Sequence, residues 1–168
     1  SYSNNISISI TIDDGYKDTM YAADILNKLS IPFTLFISTD NIGLKDYLTK
    51  KNIKDLSNLS ISEIGSHGKT HTRLGNLTTQ DQDNEVKSSK IALEKIINQS
   101  IESISLPHGS YNNDTFDVIR NNNYKRIATS IKGFNRSDNN MIIKRSEIIR
   151  HDNINHLVKK LKGYYDYY

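Results

Sequence analysis

Two rhythms of apolar residues alternate along the chain. Ile6, Ile8, Ile10 and Ile12 are interleaved with Ser7, Ser9 and Thr11, the period of a strand with one apolar face, and the run stops at Asp13-Asp14-Gly15. Residues 17–30 then place Ala22, Ile25, Leu26 and Leu29 at helical spacing toward a core, with Pro32 as the stop. Residues 33–37 read as a buried strand, 43–59 as one or two short helices, and 61–66 as a short strand ending at His67. The longest helix is expected over 79–99, with Val86, Leu93, Ile96 and Ile97 inward and a charge-mixed opposite side. A strand over 103–106 is closed by Pro107 and Gly109. Asn112 or Asn113 caps a helix through Phe116 and Ile119, and residues 124–131 return as a strand. Residues 141–143 form a short last strand. Asp152 or Asn153 caps a helix carrying Ile154, Leu157, Val158 and Leu161, which Gly163 ends. The aromatic tail, 164–168, is expected to pack on the outside.

Strands alternating with helices of this length imply parallel βα units with right-handed crossovers, hence a barrel or an open α/β sheet. Periodicity does not choose between them. The polar punctuation adds to the picture: Asp13-Asp14, His67 and Pro107-His108-Gly109 each fall at the C-terminal end of a different expected strand. In parallel barrels that end carries the chemistry.

At 168 residues the chain reads as one domain spanning 1–168, able to bury roughly 70% of its unfolded surface. Because it starts with Ser1 rather than Met, it reads as a form trimmed at the N-terminus. Charged residues make up 24% and hydrophobic ones 36%, as in a folded, water-soluble chain. A net charge of +3, with scattered Lys and Arg, argues against nucleic-acid binding, and no segment is apolar enough to span a membrane. There is no cysteine, so any metal must be held by His, Asp or Glu.

His67 and His71 are spaced so that both imidazoles can reach one cation from a turn. Alone, the pair is a weak sign and more often means two surface histidines, and Asp13-Asp14 alone reads equally well as a helix cap and a turn. Their joint occurrence at strand ends points to a site. Two neutral imidazoles and one carboxylate around a divalent zinc leave a positive centre with an open position for water. One carboxylate is left over. Strand phase turns Asp13 with Ser7, Ser9 and Thr11 toward the barrel interior, where a free carboxylate is a candidate general base.

The segment Ile10-Thr11-Ile12-Asp13-Asp14-Gly15-Tyr16 resembles the first motif of the polysaccharide deacetylases, the family 4 carbohydrate esterases with the NodB-type domain. Glu63-Ile64-Gly65-Ser66-His67-Gly68-Lys69-Thr70-His71 resembles their second motif, and Leu106-Pro107-His108-Gly109-Ser110-Tyr111-Asn112 their third. Further similarity runs through Ser88-Ser89-Lys90, Leu93-Glu94, Gly133-Phe134-Asn135 and Lys144-Arg145, in the family's order. The resemblance implies a distorted (β/α) barrel with fewer than eight strands. It implies Asp14, His67 and His71 as ligands of a divalent metal, Zn2+ first and Co2+ or Ni2+ as alternatives. It also implies Asp13 as the base, metal-bound water as the nucleophile, a backbone N–H near His108 as oxyanion donor, and Pro107, His108, Gly109 and Tyr111 around the sugar.

The chain departs from the family in four places. Gly68 stands where a Ser or Thr usually braces the metal loop. His108 replaces an aromatic residue and either lines the sugar site or adds a nitrogen ligand. Ser105 replaces an Arg that orients the base, a role Arg145 can fill from a later strand. The late Leu-x-His motif that supplies the general acid is absent; His151 is a candidate, His156 reads as helical and solvent facing, and in related members the acid comes from a His ahead of the first motif.

The resemblance therefore implies removal of N-acetyl, or O-acetyl, groups from a sugar or polysaccharide. Alternatives are a deformylase or deacylase on a lipid- or nucleotide-linked amino sugar, and a carbohydrate-binding domain that keeps the fold without turnover. The implied partner is an acetylated glycan, with no nucleic acid; oligomeric state is not legible. Family habit favours the cell envelope or secretion, with the cytoplasm as the alternative.

Overall fold

A computed structural model describes residues 7–135 and 141–164. The alternation seen in the sequence is present: β1 (Ile10–Ile12), α1 (Thr19–Lys28), β2 (Phe33–Ile37), α2 (Lys50–Ser57), β3 (Ser62–Ser66), α3 (Thr79–Ile97), β4 (Ser103–Ser105), α4 (Thr115–Asn121), β5 (Arg126–Ala128), β6 (Ile142–Ile143) and α5 (Ile154–Leu161). The six strands pair in sequence order, all parallel, so α1 to α4 are each a crossover between neighbours, while α5 follows the last strand. Among the described residues β6 does not pair with β1, and the sheet is an open, distorted (β/α) half-barrel. Its ends nevertheless approach: Arg145, just after β6, donates to Thr11 Oγ1 of β1 at 3.1 Å and to the Thr129 carbonyl after β5 at 3.0 Å.

β1 is shorter than the alternation of 6–12 predicts, and Ile6 lies outside the described residues. The register explains the start: Ile10 pairs with Phe33, so the next pairing toward the N-terminus would meet Pro32, which has no N–H to give. Ile8 is accordingly exposed. β5 is also shorter than the expected 124–131, whereas β2 and β3 match closely.

The core lies between the sheet and α2, α3 and α4, built on Leu35, Ile37, Ile53, Leu93, Ile104, Ile119 and Ile127. α3 presents Val86, Leu93 and Ile97 inward as its periodicity requires, but the same stripe also buries Gln82, Glu85 and Ser89. α1 differs from expectation. Thr19 and Ala23 are buried, with Met20 and Leu26 packed beside them, while Ile25 and Leu29 are exposed. The helix carries two apolar stripes, and spacing alone does not say which one meets the sheet.

The cap of α4 is Asp114, one or two residues later than expected. Asn112 instead ties the preceding turn together, accepting from the Asp114 N–H, the Thr115 hydroxyl and Gln82 Nε2 while donating to the Gly75 carbonyl. Asn153 caps α5 through the N–H groups of Asn155 and His156. No residue of α5 is fully buried. Of the aromatic tail, Tyr164 is exposed and 165–168 lie outside the described residues. Among the described residues no helix is long and apolar enough to cross a membrane.

Gly65 shows how the second motif shapes the core. A Cβ there would sit 2.5 Å from Phe36 Cδ1 and 2.7 Å from Ser103 Oγ. The Phe36 ring in turn lies 5.8 Å from the Arg145 guanidinium, so it floors the residue that bridges the sheet's ends. Gly65→Ala is expected to destabilise the fold by about 1–3 kcal/mol through overpacking, read as a lower urea midpoint.

Candidate active site

Asp13 and Asp14 follow the last residue of β1, and His67 follows β3, so the parallel sheet delivers three of the four groups to its C-terminal end. Asp14 takes a left-handed backbone (φ 75°) and so does Gly15 (φ 80°), which turns the two carboxylates in different directions. Gly15 has little freedom to be anything else: a Cβ would also meet Ile37 Cγ2 at 3.3 Å. The turn is held from the other side, with Leu48 N–H donating to the Gly15 carbonyl at 3.0 Å and Tyr16 stacked on Tyr47 at 4.8 Å.

His67 is 3% exposed and fixed at every polar atom that points inward. Its N–H donates to the Ile37 carbonyl and its carbonyl accepts from Ser38 Oγ. Its Nδ1 lies 2.8 Å from the Ser105 carbonyl. A carbonyl only accepts, so Nδ1 carries the proton and Nε2 is left with a lone pair. That lone pair faces Asp14.

His71 also has a left-handed backbone, φ 60°, and Gly68 opens the same loop at φ 73°. Such a conformation costs a non-glycine residue about 1–3 kcal/mol and persists only where its surroundings hold it. Two sets of bonds do so here. Thr39 and Asp40 N–H groups donate to the Gly68 and Lys69 carbonyls, and the Glu85 carboxylate accepts from the Lys69 and Thr70 N–H groups and the Thr70 hydroxyl. The hydroxyl missing at Gly68 is thus made good by Glu85, with Ser66 Oγ accepting from the Gly68 N–H.

Asp14 Oδ1 lies 3.3 Å from His67 Nε2 and 3.0 Å from His71 Nε2, and the three ligand atoms all fall within 4.8 Å of one another. Two ligands each bound to a tetrahedral cation at the usual length stand about 3.3 Å apart, so the spacing fits one shared ion. Electrostatics agree with the donor set. In the metal-free protein the Asp14 carboxyl is held below its ordinary value, first by the hydrogen bond His67 gives it whenever Nε2 also carries a proton, against the opposing effect of burial, and the His71 imidazole is held below its own chiefly by burial. Both shifts favour the deprotonated, ligating forms.

The sign of these shifts sets a pH expectation for the metal-free protein. Both folded groups bind a proton less readily than the unfolded chain, so their contributions are complete above the ordinary values of 6.5 and 3.8 and are lost as pH falls through the lowered ones. The melting temperature of the metal-free protein should fall as pH drops below 6.5. His71→Asn should flatten that first decline, and an unchanged profile would show that His71 does not cause it.

Asp13 is held beside this cluster, its Oδ2 4.0 Å from His67 Nε2, by partners of its own. Arg145 grips it bidentately, Nη1 to Oδ1 at 2.8 Å and Nη2 to Oδ2 at 3.0 Å, while Ser105 Oγ donates to Oδ2 at 2.9 Å. Arg145 Nη2 also donates to Ser105 Oγ at 2.9 Å. The serine that stands where an orienting arginine was expected is therefore part of a hydrogen-bonded triangle with Arg145. Arg145→Ala should lower turnover by about 10–100-fold with metal content unchanged, because only the geometry of Asp13 is released. Equal turnover in mutant and wild type would remove Arg145 from the site.

The third motif lies alongside. Pro107 is buried, and His108 turns back at φ 56° with its ring 4.5 Å from that of His71. His108 is not among the three residues close enough to share an ion. Gly109 is left-handed at φ 62° against Ser130, and Tyr111 is half exposed with its ring on Phe116 at 5.0 Å. His151 is exposed ahead of α5, and no hydrogen bond among the described residues links it to the site. His156 lies on α5 with Nδ1 accepting from the Asn153 N–H, within its own cap.

Sequence reading missed Glu85 and the direct contact of Ser105 with Asp13. Glu85 carried a usable signal: with Gln82 and Ser89 it is a polar residue at the buried phase of α3.

The sequence profile of the family described as polysaccharide deacetylase matches residues 2–127. YxkH of Bacillus subtilis (strain 168) is 33% identical over 135 residues, covering 80% of this chain and 48% of that protein. A poly-beta-1,6-N-acetyl-D-glucosamine N-deacetylase of Staphylococcus aureus is 28% identical over 179 residues, covering 95% of this chain and 60% of its own length. Among solved structures, the Streptococcus pyogenes deacetylase PplD in complex with acetate superposes with a TM-score of 0.82 at 27% identity, over 90% of this chain and 68% of that one. The chain thus spans about half to three fifths of the curated relatives it matches.

Proposed function

The chain belongs to the polysaccharide deacetylase family, and from that premise we propose that it hydrolyses N-acetyl groups on an amino-sugar polymer, with Zn2+ as its ion. The observation that carries the proposal is the division of the strand-end carboxylates: Asp14 converges with His67 and His71, while Asp13 is held beside them by Arg145 and Ser105. A binding module has little use for that division. What a divalent ion supplies in such a site is Lewis acidity toward a carbonyl oxygen and toward water.

The chain's own groups account for the remaining steps. Arg145 and Ser105 together make three hydrogen bonds to Asp13, out of about four acceptor sites on a carboxylate. One site is left to take a proton from water, and the bidentate arginine fixes the plane in which it points. His67 Nδ1–H, committed to the Ser105 carbonyl, keeps Nε2 aimed at the ion's position. His108 flanks this point from the third motif with its ring against that of His71, and with the exposed Tyr111 farther along the motif it is offered to the sugar's approach.

The substrate class is supported by the staphylococcal relative, whose name specifies poly-β-1,6-linked N-acetylglucosamine. Work on such a polymer belongs at the cell envelope or outside the cell. The deciding experiment measures acetate release from β-1,6- and β-1,4-linked N-acetylglucosamine oligomers, peptidoglycan fragments and a generic acetyl ester, with chelator and then restored Zn2+. The proposal expects chelator-reversible release from the amino-sugar oligomers. Glycan binding by metal-free protein with no release from any substrate would overturn it.

A further inference from the structure

We infer that Glu85 is a positioning residue for the metal loop: its carboxylate holds the backbone of Lys69 and Thr70 so that His71 presents Nε2 beside Asp14. The inference rests on the metal reading of Asp14, His67 and His71. Glu85 is 7% exposed, and among the described residues no Lys or Arg pairs with it. A buried carboxylate is costly unless its oxygens are satisfied. Here they are satisfied by the loop itself. Oε2 accepts from the Lys69 and Thr70 N–H groups, both at 2.9 Å, and Oε1 accepts from Thr70 Oγ1 at 2.9 Å.

Those bonds fall between the two histidines. The loop must leave His67 in the sheet, reverse at Gly68 and reach His71 in a left-handed conformation. Its carbonyls are held by Thr39 and Asp40 on one side, so Glu85 is the partner that holds the N–H side. Gly68 also makes room for this arrangement, since a Cβ there would stand 3.4 Å from Glu85 Oε2. Without the carboxylate, two adjacent N–H groups would turn to water, and only the bonds of Thr39 and Asp40 to the carbonyls of Gly68 and Lys69 would be left to hold His71 against relaxing to an ordinary backbone. The effect should therefore fall first on metal affinity.

The test measures Zn2+ dissociation constants by chelator competition on purified, folded variants, with acetate release at saturating Zn2+ in parallel. Glu85→Ala should weaken Zn2+ binding by about 10- to 100-fold, the usual effect of removing a group that orients a ligand. The Zn2+ concentration giving half activity should rise with it, while KM for the oligomer stays put. Glu85→Gln should restore binding to within about fivefold, because its amide oxygen can still accept from both N–H groups and Thr70 Oγ1 can turn to accept from its NH2. Thr70→Ala, at an exposed position, should give a smaller loss, below about tenfold, and decides the matter if Glu85→Ala does not fold. Unchanged Zn2+ affinity in folded Glu85→Ala, or in Thr70→Ala where the former is lost, overturns the assignment and leaves the metal reading intact. Wild-type protein that takes up no Zn2+ overturns both.

Discussion

Asp13→Asn should cut acetate release by about 10³-fold or more in a protein that still takes up its metal. The substitution keeps the shape of the side chain and removes its ability to accept a proton at neutral pH. One amide oxygen can still accept from Arg145 Nη1, but the NH2 group now meets Arg145 Nη2 and Ser105 Oγ, where the carboxylate oxygen had accepted from both. The serine hydroxyl can turn to accept; the arginine cannot. The result is a base lost and its anchor disturbed, with Asp14, His67 and His71 untouched. Acetate release and bound metal measured on one preparation read the two effects apart.

Asp14→Asn should do the opposite, weakening metal binding by more than the roughly 10–100-fold typical of residues that only orient a ligand. Asp14 is the one anionic member of the cluster, and its Oδ1 sits between both Nε2 atoms at 3.3 and 3.0 Å. Replacing it leaves two neutral imidazoles and an amide to hold a divalent cation, a set with no charge to offset the cost of dehydrating it. Activity should fall in proportion at limiting Zn2+ and recover partly in excess. A variant with wild-type affinity would mean that the ion, if bound, sits elsewhere.

How much of this was legible in the chain depended on whether chemistry or packing chose the residue. Asp13, Asp14, His67 and His71 stood out because the two pairs, each open to a bland explanation alone, occur together at the ends of separate strands, and β2, β3 and α3 because their periods are clean. The short β1 was not legible, since Pro32 limits it only once the register with β2 is known. The buried face of α1 was not legible either, because Tyr21, Ile25 and Leu29 compete with Met20, Ala23 and Leu26 at nearly the same spacing. Arg145 could be named only through the family's pattern. Nothing local in 141–145 announces a guanidinium that reaches back to Asp13 across the open side of the sheet. Glu85 is easy to pass over because a glutamate in a charge-mixed helix reads as solvent facing, although its place with Gln82 and Ser89 at the buried phase of α3 is the signal to follow.

A single side chain links the two ends of the open sheet. Arg145 joins the last strand to the first through Thr11 and Asp13. The same residue therefore closes the curve of the sheet and orients the proposed base.

The central claim is that the two adjacent carboxylates at the end of β1 have different tasks. The most direct test measures bound Zn2+ and acetate release together, on wild type, Asp13→Asn and Asp14→Asn at one fixed Zn2+ concentration. The account predicts full metal without turnover in Asp13→Asn, and loss of both in Asp14→Asn. Metal lost from Asp13→Asn and kept by Asp14→Asn, or turnover surviving in Asp13→Asn, would contradict it.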